Sequence, residues 1–330
     1  MKSTIQIFSE LGARLSEFGS DEVSRSVMVR AVADNEWFSV GDIRYAIDAI
    51  CAEMLDAEKI ENWLSSYPAV ASCEAKRVAL IMAGNIPLVG FFDLMCIIAS
   101  GNIPCVKPSN KDRALVEYIE QLLLDIEPAL RIEKYVAGAD YDAVIATGGE
   151  SANIYFNSVF SAIPSLLRGS RHSVAVLLGD ESKAELDGLA NDIFTYSGLG
   201  CRNVSLIFVP KGYELTLPTR KMSPAYHNNY LQCRALLTMQ GIEFYDTGES
   251  IMVSSQAEFP RFLSQINVVE YSDIAEVQEW LAENDERLQC VVSSIEGVHS
   301  RCVPFGYAQL PTLFDYADER DTMQFLSSID

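Results

Sequence analysis

Residues 77–106 read RVALIMAGNIPLVGFFDLMCIIASGNIPCV. The opening RVALIMA (77–83) is a short unbroken apolar run, as expected of a strand buried on both faces. Gly84 and Asn85 break it. Pro87 suits the first turn of a helix that runs through LVGFFDLMCIIAS and stops at Gly101. A second run, IPCV (103–106), follows. This is a strand–helix–strand unit, and such units are almost always parallel and right-handed. The helix is apolar on most faces, which predicts deep packing.

The same alternation extends outward. DRALVEYIEQLLLDI reads as a helix, DAVIA (142–146) as a strand, Thr147-Gly148-Gly149 as a turn and ESANIYFNSVFSAI as a helix. SVAVLLG (173–179) is another buried strand, followed by a helix over 182–197 and the strand NVSLIFV (203–209). Beyond it come a helix over 224–240, short strands near 242–253, a helix over 273–283, the strand LQCVVS (288–293) and an irregular tail. Residues 1–70 read as polar, amphipathic helices. Strands and helices alternating through two successive stretches predict an α/β protein with a largely parallel sheet in each. The division falls near Gly179, giving domains 1–180 and 181–330, the second including the tail.

The chain has 330 residues, 49% of them apolar, so a sizeable core is available. Its 46 acidic residues outnumber 25 basic ones, for a net charge of −21. Such a surface repels phosphate backbones and anionic lipid, which counts against nucleic-acid and membrane-surface roles. Residues 86–106 are too interrupted by Asp93, Gly101, Asn102 and Pro104 to span a bilayer. The N-terminus has charges throughout and lacks the apolar stretch of a secretory signal. Eight cysteines, Cys73 among them, include no C-x-x-C pair, and only three histidines exist to join them. No metal site is expected; reduced thiols in a cytoplasmic protein are.

Four places carry candidate chemistry. Asn85 sits where a buried parallel strand ends and a helix begins, the edge at which ligands of open α/β sheets collect. Its amide is a neutral donor suited to an oxyanion; Asn is equally at home as a plain turn residue. Lys107-Pro108-Ser109 follows the next strand, where Lys reaches a ribose or phosphate or simply meets solvent. Thr147-Gly148-Gly149 lets a phosphate approach backbone N–H groups at a helix start, although tight strand-to-helix turns also use Gly for geometry alone and no G-x-G-x-x-G is present. In Ser197-Gly198-Leu199-Gly200-Cys201-Arg202-Asn203, Cys201 stands outside any apolar run. Glycines leave room for a substrate, and Arg202 favours the thiolate; the alternative is a buried thiol at a strand start. His172 is a candidate to assist Cys201. His227 and His299 lie in polar stretches and read as surface residues.

These residues resemble a known family. GNIPLVGFFDLMCIIASGNIPCVKPSN (84–110) resembles the aldehyde dehydrogenase segment in which an N-x-P turn leads a helix to a KPS strand end. IFTYSGLGCRNVSLIFVP (193–210) resembles that superfamily's cysteine loop, and PFGYAQLPTLFDYADERDTMQFL (304–326) its PFG segment. The nearer match is the LuxC-like acyl-CoA reductase (fatty acyl reductase) branch, whose RxxRxSVAVL and GLGCRNVS appear here as RGSRHSVAVLL (168–178) and GLGCRNVS (198–205). The resemblance covers about residues 75–330 in consistent order. It implies an aldehyde dehydrogenase-like fold, shortened, with a Rossmann-type cofactor domain after the N-terminal helices and a catalytic cysteine domain. It implies that Cys201 becomes acylated, and that Asn85 and the Cys201 N–H hold the oxyanion. Lys107 and Ser109 would contact the adenosine ribose, and Thr147, Gly148 and Gly149 would lie at the cofactor.

Two departures sharpen the expectation. Leu167 stands where acid-forming relatives carry the water-activating Glu, so hydride rather than water becomes the partner of the acyl-enzyme. The Glu that often follows KPS is replaced: the run is Ser109-Asn110-Lys111-Asp112-Arg113. Lys111 and Arg113, partly offset by Asp112, favour a 2′-phosphate, hence NADPH. EFPRF (258–262) departs from the family's ribose-binding EIFGP segment. The implied activity is NADPH-dependent reduction of an acyl-CoA, or another acyl thioester such as an acyl-protein, to the aldehyde. An acyl-phosphate reductase, a non-catalytic acyl-binding subunit partnering an acyl-activating synthetase, and a cysteine hydrolase are the rivals. A homo-oligomer is compatible with the resemblance.

Overall fold

The computed structural model describes residues 2–68, 74–218, 220–254 and 256–329. Cys73 and the end of the expected helical stretch, Ala69 and Val70, lie outside these. The chain packs as two units, Met1–Ser170 with Pro311–Asp330, and Arg171–Leu310. The expected division at 180/181, with the tail in the second domain, differs from this. Residues 172–176 already form a strand of the second sheet, and the tail returns to bury Thr322, Met323 and Leu326 in the first unit.

The first unit opens with helices α1 (Thr4–Leu15), α2 (Glu22–Asp34), α3 (Val40–Met54) and α4 (Ala57–Ser65). Each begins on a capping residue, Ser3, Asp21, Ser39 and Asp56, whose side chain accepts from the first turn. Their apolar stripes, including Phe8, Leu11, Ile43, Ile60 and Trp63, join the same core as the sheet. The sheet follows as β1 (Arg77–Ile81), α5 (Phe91–Ala99), β2 (Ile103–Lys107), α6 (Arg113–Ile126), β3 (Glu133–Lys134), β4 (Ala143–Thr147), α7 (Glu150–Val159) and β5 (Ser165–Arg168). The order is β3-β2-β1-β4-β5 and every pairing is parallel. The switch point lies between β1 and β4. Helix α5 starts at Phe91, not at Pro87, because Leu88 adopts a left-handed φ of 55° and makes residues 86–90 a turn. Strand β5 had no sequence signal: its four residues alternate too briefly to stand out.

In the second unit, β6 (His172–Val176), α8 (Lys183–Phe194), β7 (Val204–Pro210), α9 (Pro224–Gln240), β8 (Tyr245–Asp246), β9 (Ile251–Ser254), β10 (Gln265–Tyr271), α10 (Ile274–Glu283), β11 (Leu288–Ser293) and β12 (Cys302–Val303) follow. The order is β12-β11-β6-β7-β10-β9-β8, parallel except for β8 with β9. Strand β10, where the sequence pattern predicts none, lies inside the sheet between β7 and β9. Its polar Gln265 and Asn267 are buried, Gln265 donating to Asn267 and Asn267 to the Glu258 carbonyl, so its burial pattern follows no hydrophobic pattern. Among the described residues, no helix is long and apolar enough to cross a membrane.

Candidate functional site

At the carboxyl ends of β1, β2 and β4 in the first unit, a groove of about 670 Å³ is lined by Lys107, Ser109, Lys111, Arg113, Lys134 and Thr147. Lys107 closes β2 and turns outward into solvent. The Ser109 hydroxyl accepts from the Lys111 N–H at 3.3 Å, which holds the KPS turn. Glu117 and Glu120 of α6 face the same groove. Burial pushes the Glu120 carboxyl up to about 7, with Glu117 adding to the rise and Lys134 opposing it. Sequence reading missed Glu117, Glu120 and Lys134. A three-residue spacing on one helix face was the available signal for the pair.

Thr147, Gly148 and Gly149 divide their roles. Thr147 lines the groove. A Cβ at Gly148 would lie 2.7 Å from Ala152 Cβ, so this glycine serves the packing of α7 on its own turn. Gly149 is the open N-cap of α7, with no atom near a Cβ placed there.

Asn85 is exposed at its turn, and the turn is held on several sides. A Cβ at Gly84 would sit 2.6 Å from Ser109, so only glycine lets the two turns approach. The Gly84 carbonyl accepts from Asn35 Nδ2 at 3.1 Å. The Leu88 N–H donates to Asp112 Oδ2 at 2.8 Å, against a left-handed backbone that costs about 1–3 kcal/mol at a residue of this kind. Asp112 is therefore no offset to Lys111 and Arg113 in the groove. It is 1% exposed, and burial pushes its carboxyl up to about 8.

Cys201 belongs to the second unit. It is the exposed thiol among the described cysteines; the other six are buried or half-buried. The expected helix over 182–197 ends at Phe194 because Tyr196, Ser197 and Gly198 all take left-handed φ, 55°, 55° and 71°. Asn203 holds this turn. Its amide nitrogen donates to the carbonyls of Asp192, Ile193 and Thr195 at 2.9–3.1 Å, and its oxygen accepts from the Gly200 N–H at 2.8 Å. From the strand beneath, Ser173 donates to the Cys201 carbonyl at 2.9 Å. Asp192 on α8 is buried and accepts from the N–H groups of Gly306 and Ala308. Burial pushes its carboxyl up to about 7 against those two bonds. Asn203 and Asp192 were passed over in sequence, because their partners are backbone groups that no side-chain pattern marks.

The three histidines fall in different settings. The His172 ring stacks on Phe259 at 4.1 Å, and burial lowers its pKa. Its neighbour on the strand, Ser173, is the residue that reaches the cysteine loop. His299 is largely buried and contacts Asp285 at 3.0 Å; His227 is exposed, as expected. Leu167 is half-buried and packs against the first-unit core cluster that includes Ile81, Val144, Phe156 and Phe160.

A family model described as acyl-CoA reductase (LuxC) matches residues 52–223, just over half of the chain. No curated protein matches the sequence. Solved structures do resemble it. Aldehyde dehydrogenase 21 from Physcomitrella patens, in complex with the reaction product succinate, aligns with a TM-score of 0.69 at 11% identity, over 98% of this chain and 83% of its own. An aldehyde dehydrogenase from Bacillus cereus in an NAD+ complex gives 0.63 at 13% identity, over 89% and 72%. A propionaldehyde dehydrogenase from a Clostridium phytofermentans microcompartment gives 0.56 at 12% identity, over 90% and 78%. At such identities the likeness establishes the fold, which is aldehyde dehydrogenase-like.

Proposed function

The chain belongs to the LuxC acyl-CoA reductase family, oxidoreductases of acyl and aldehyde groups, and on that premise we propose that it reduces an acyl thioester to the aldehyde with NADPH, through an acyl-enzyme on Cys201. The observation that carries the reading is the thiol itself. Cys201 alone among the described cysteines is exposed, on a loop whose left-handed turn is held by Asn203, within the family-matched stretch.

The chemistry follows from that loop. The Cys201 thiolate attacks the thioester carbonyl, and the carbon–sulfur bond to the coenzyme breaks, releasing its thiol. Charge gathers on the carbonyl oxygen, for which the Cys201 N–H and the Asn85 amide are the assigned donors. A nicotinamide cofactor, when bound, would supply a hydride to the acyl carbon; the bond from that carbon to Cys201 Sγ then breaks, which frees the aldehyde and returns the thiolate. The resemblance puts Leu167 in the place of the water-activating Glu, so the thioester on Cys201 should persist until that hydride is available.

The groove suits a nucleotide. Its volume lies in the range of small-molecule sites, and in a protein of charge −21 it gathers four cations in one place. Lys107 and Ser109 would hold the ribose, Lys111 and Arg113 the 2′-phosphate, with Thr147, Gly148 and Gly149 at the cofactor. The test is incubation with acyl-CoA of several chain lengths and NADPH or NADH, following absorbance of the reduced cofactor. Cys201→Ala should abolish both acyl labelling and reduction in a folded protein. Labelling that persists in that variant, or rapid release of free acid without cofactor, rejects the assignment.

A further inference from the structure

Helix α6 begins in an unusual way. Asp112 is its N-cap, a position whose carboxylate ordinarily accepts from its own first turn. Here the side chain makes no such bond. It crosses to the Leu88 N–H, 24 residues back in sequence, at 2.8 Å. Its second oxygen, Oδ1, is buried with no hydrogen-bond partner. A buried acid that gives up its own helix cap and leaves one oxygen unsatisfied calls for another purpose. The bond it makes lies three residues from Asn85, on the residue whose φ is 55°. At the other end of the same turn, Asn35 at the end of α2 donates to the Gly84 carbonyl at 3.1 Å. Ser109 fills the space a Gly84 Cβ would take.

The geometry points to Asp112 and Asn35 as positioning residues that hold the two ends of the Asn85 turn, Leu88 and Gly84, so that the amide of Asn85 is preset to receive the thioester oxygen. This rests on the reading of Asn85 as the oxyanion donor. It also gives the N-terminal helices, the part without motif, a task in the reaction. Neither residue touches substrate. Each acts through a backbone group of the turn, Asp112 as acceptor for Leu88 and Asn35 as donor to Gly84. Burial leaves Asp112 largely protonated at neutral pH, so a neutral carboxamide in its place keeps both the acceptor and the charge state.

The experiment measures kcat and KM for acyl-CoA reduction together with hydrogen exchange of the peptide spanning residues 84–90. Asp112→Ala should lower kcat about tenfold or more, with KM moved less than about threefold, and should speed exchange at the Leu88 amide. Asp112→Asn should recover kcat to within about threefold of wild type. Asn35→Ala should repeat the kcat-only loss, and serves in place of Asp112→Ala should that variant not fold. In an Asn85→Ala background, adding Asp112→Ala or Asn35→Ala should change kcat less than about twofold, since the effect runs through Asn85. Multiplicative losses in the double variants, or an Asp112→Asn no better than Asp112→Ala, overturn the proposal. If Asn85→Ala alone leaves kcat unchanged, the oxyanion reading is what fails. Exchange at Leu88 then still decides whether Asp112 holds the turn.

Discussion

Asn203 brings no reactive atom, yet the cysteine loop depends on it. Three successive residues, Tyr196, Ser197 and Gly198, turn left-handed just before the thiol. Only the glycine does so without strain. The carbonyls set free where α8 ends would be orphaned there, and the Asn203 amide collects three of them while tying back Gly200. Asn203→Ala should cost about 2–4 kcal/mol, since it leaves buried backbone groups unpaired. Denaturant unfolding measures the loss, and the rate of Cys201 alkylation should change with it. Asn203→Asp should be worse than Ala, because an anion would face three carbonyl oxygens. A variant as stable as wild type would show that water satisfies those carbonyls instead.

Two helices carry the larger arrangement. The turn before helix α6 presents Lys111, and the helix itself presents Arg113 at its start and Glu117 and Glu120 along its next turns, all lining one groove. The cations favour a 2′-phosphate and the carboxylates oppose it. We therefore expect NADPH to be preferred over NADH by about tenfold to a hundredfold, the value of one charge-assisted contact. Lys111→Glu should reverse or erase the preference in kcat/KM. If the ratio does not move, Lys111 is a solvated residue.

Helix α8 docks the segment 305–308 through a pair four residues apart. A Cβ at Gly188 would lie 2.9 Å from the backbone of Phe305 and Gly306, and Asp192 takes the N–H groups of Gly306 and Ala308. The carbonyl of Asp192 meanwhile serves Asn203. Segment and cysteine loop thus share one residue. Its acid is raised from 3.8 to about 7 in the folded state. Between those values the folded protein holds a proton that the unfolded chain has lost. The contribution of this group to stability should therefore fall as pH rises from about 4 to about 7. Asp192→Asn should remove that decline. Unfolding curves of both proteins at pH 5 and pH 7.5 test it, and identical pH slopes would show that the two N–H bonds already stabilise the anion fully.

At the level of the whole chain, the tail is the unforeseen part. Pro311–Asp330 packs with the first 170 residues. Thr322 accepts from buried Arg168, which also pairs with Asp93 of α5. Tyr316 accepts from Trp63 Nε1 at 2.7 Å. A chain ended at Leu310 would leave the Trp63 Nε1–H and the Arg168 N–H that meets Thr322 without their partners, at about 1–3 kcal/mol each, and would strip Leu313, Met323 and Leu326 from the core. It should unfold at lower denaturant than the full chain, and an equal midpoint would mean that the tail merely covers the surface.

Much of this was legible from composition and pattern. Buried parallel strands announce themselves as unbroken apolar runs, so β1, β2, β4, β6, β7 and β11 were found close to their observed limits. The turns that end β1, β2 and β4 supplied the candidates Asn85, Lys107, Ser109, Lys111 and Thr147, and the loop that leads from α8 into β7 supplied the candidate Cys201. What escaped were features whose cause lies elsewhere in the chain. Strand β10 buries Gln265 and Asn267 because they satisfy each other and the Glu258 carbonyl. Asp112 reads in sequence as a partial offset to Lys111 and Arg113, because the Leu88 amide it serves is 24 residues away. Periodicity records which side chains leave water. It carries no record of which polar groups meet once the chain has folded, since that depends on backbone donors and acceptors every residue possesses alike.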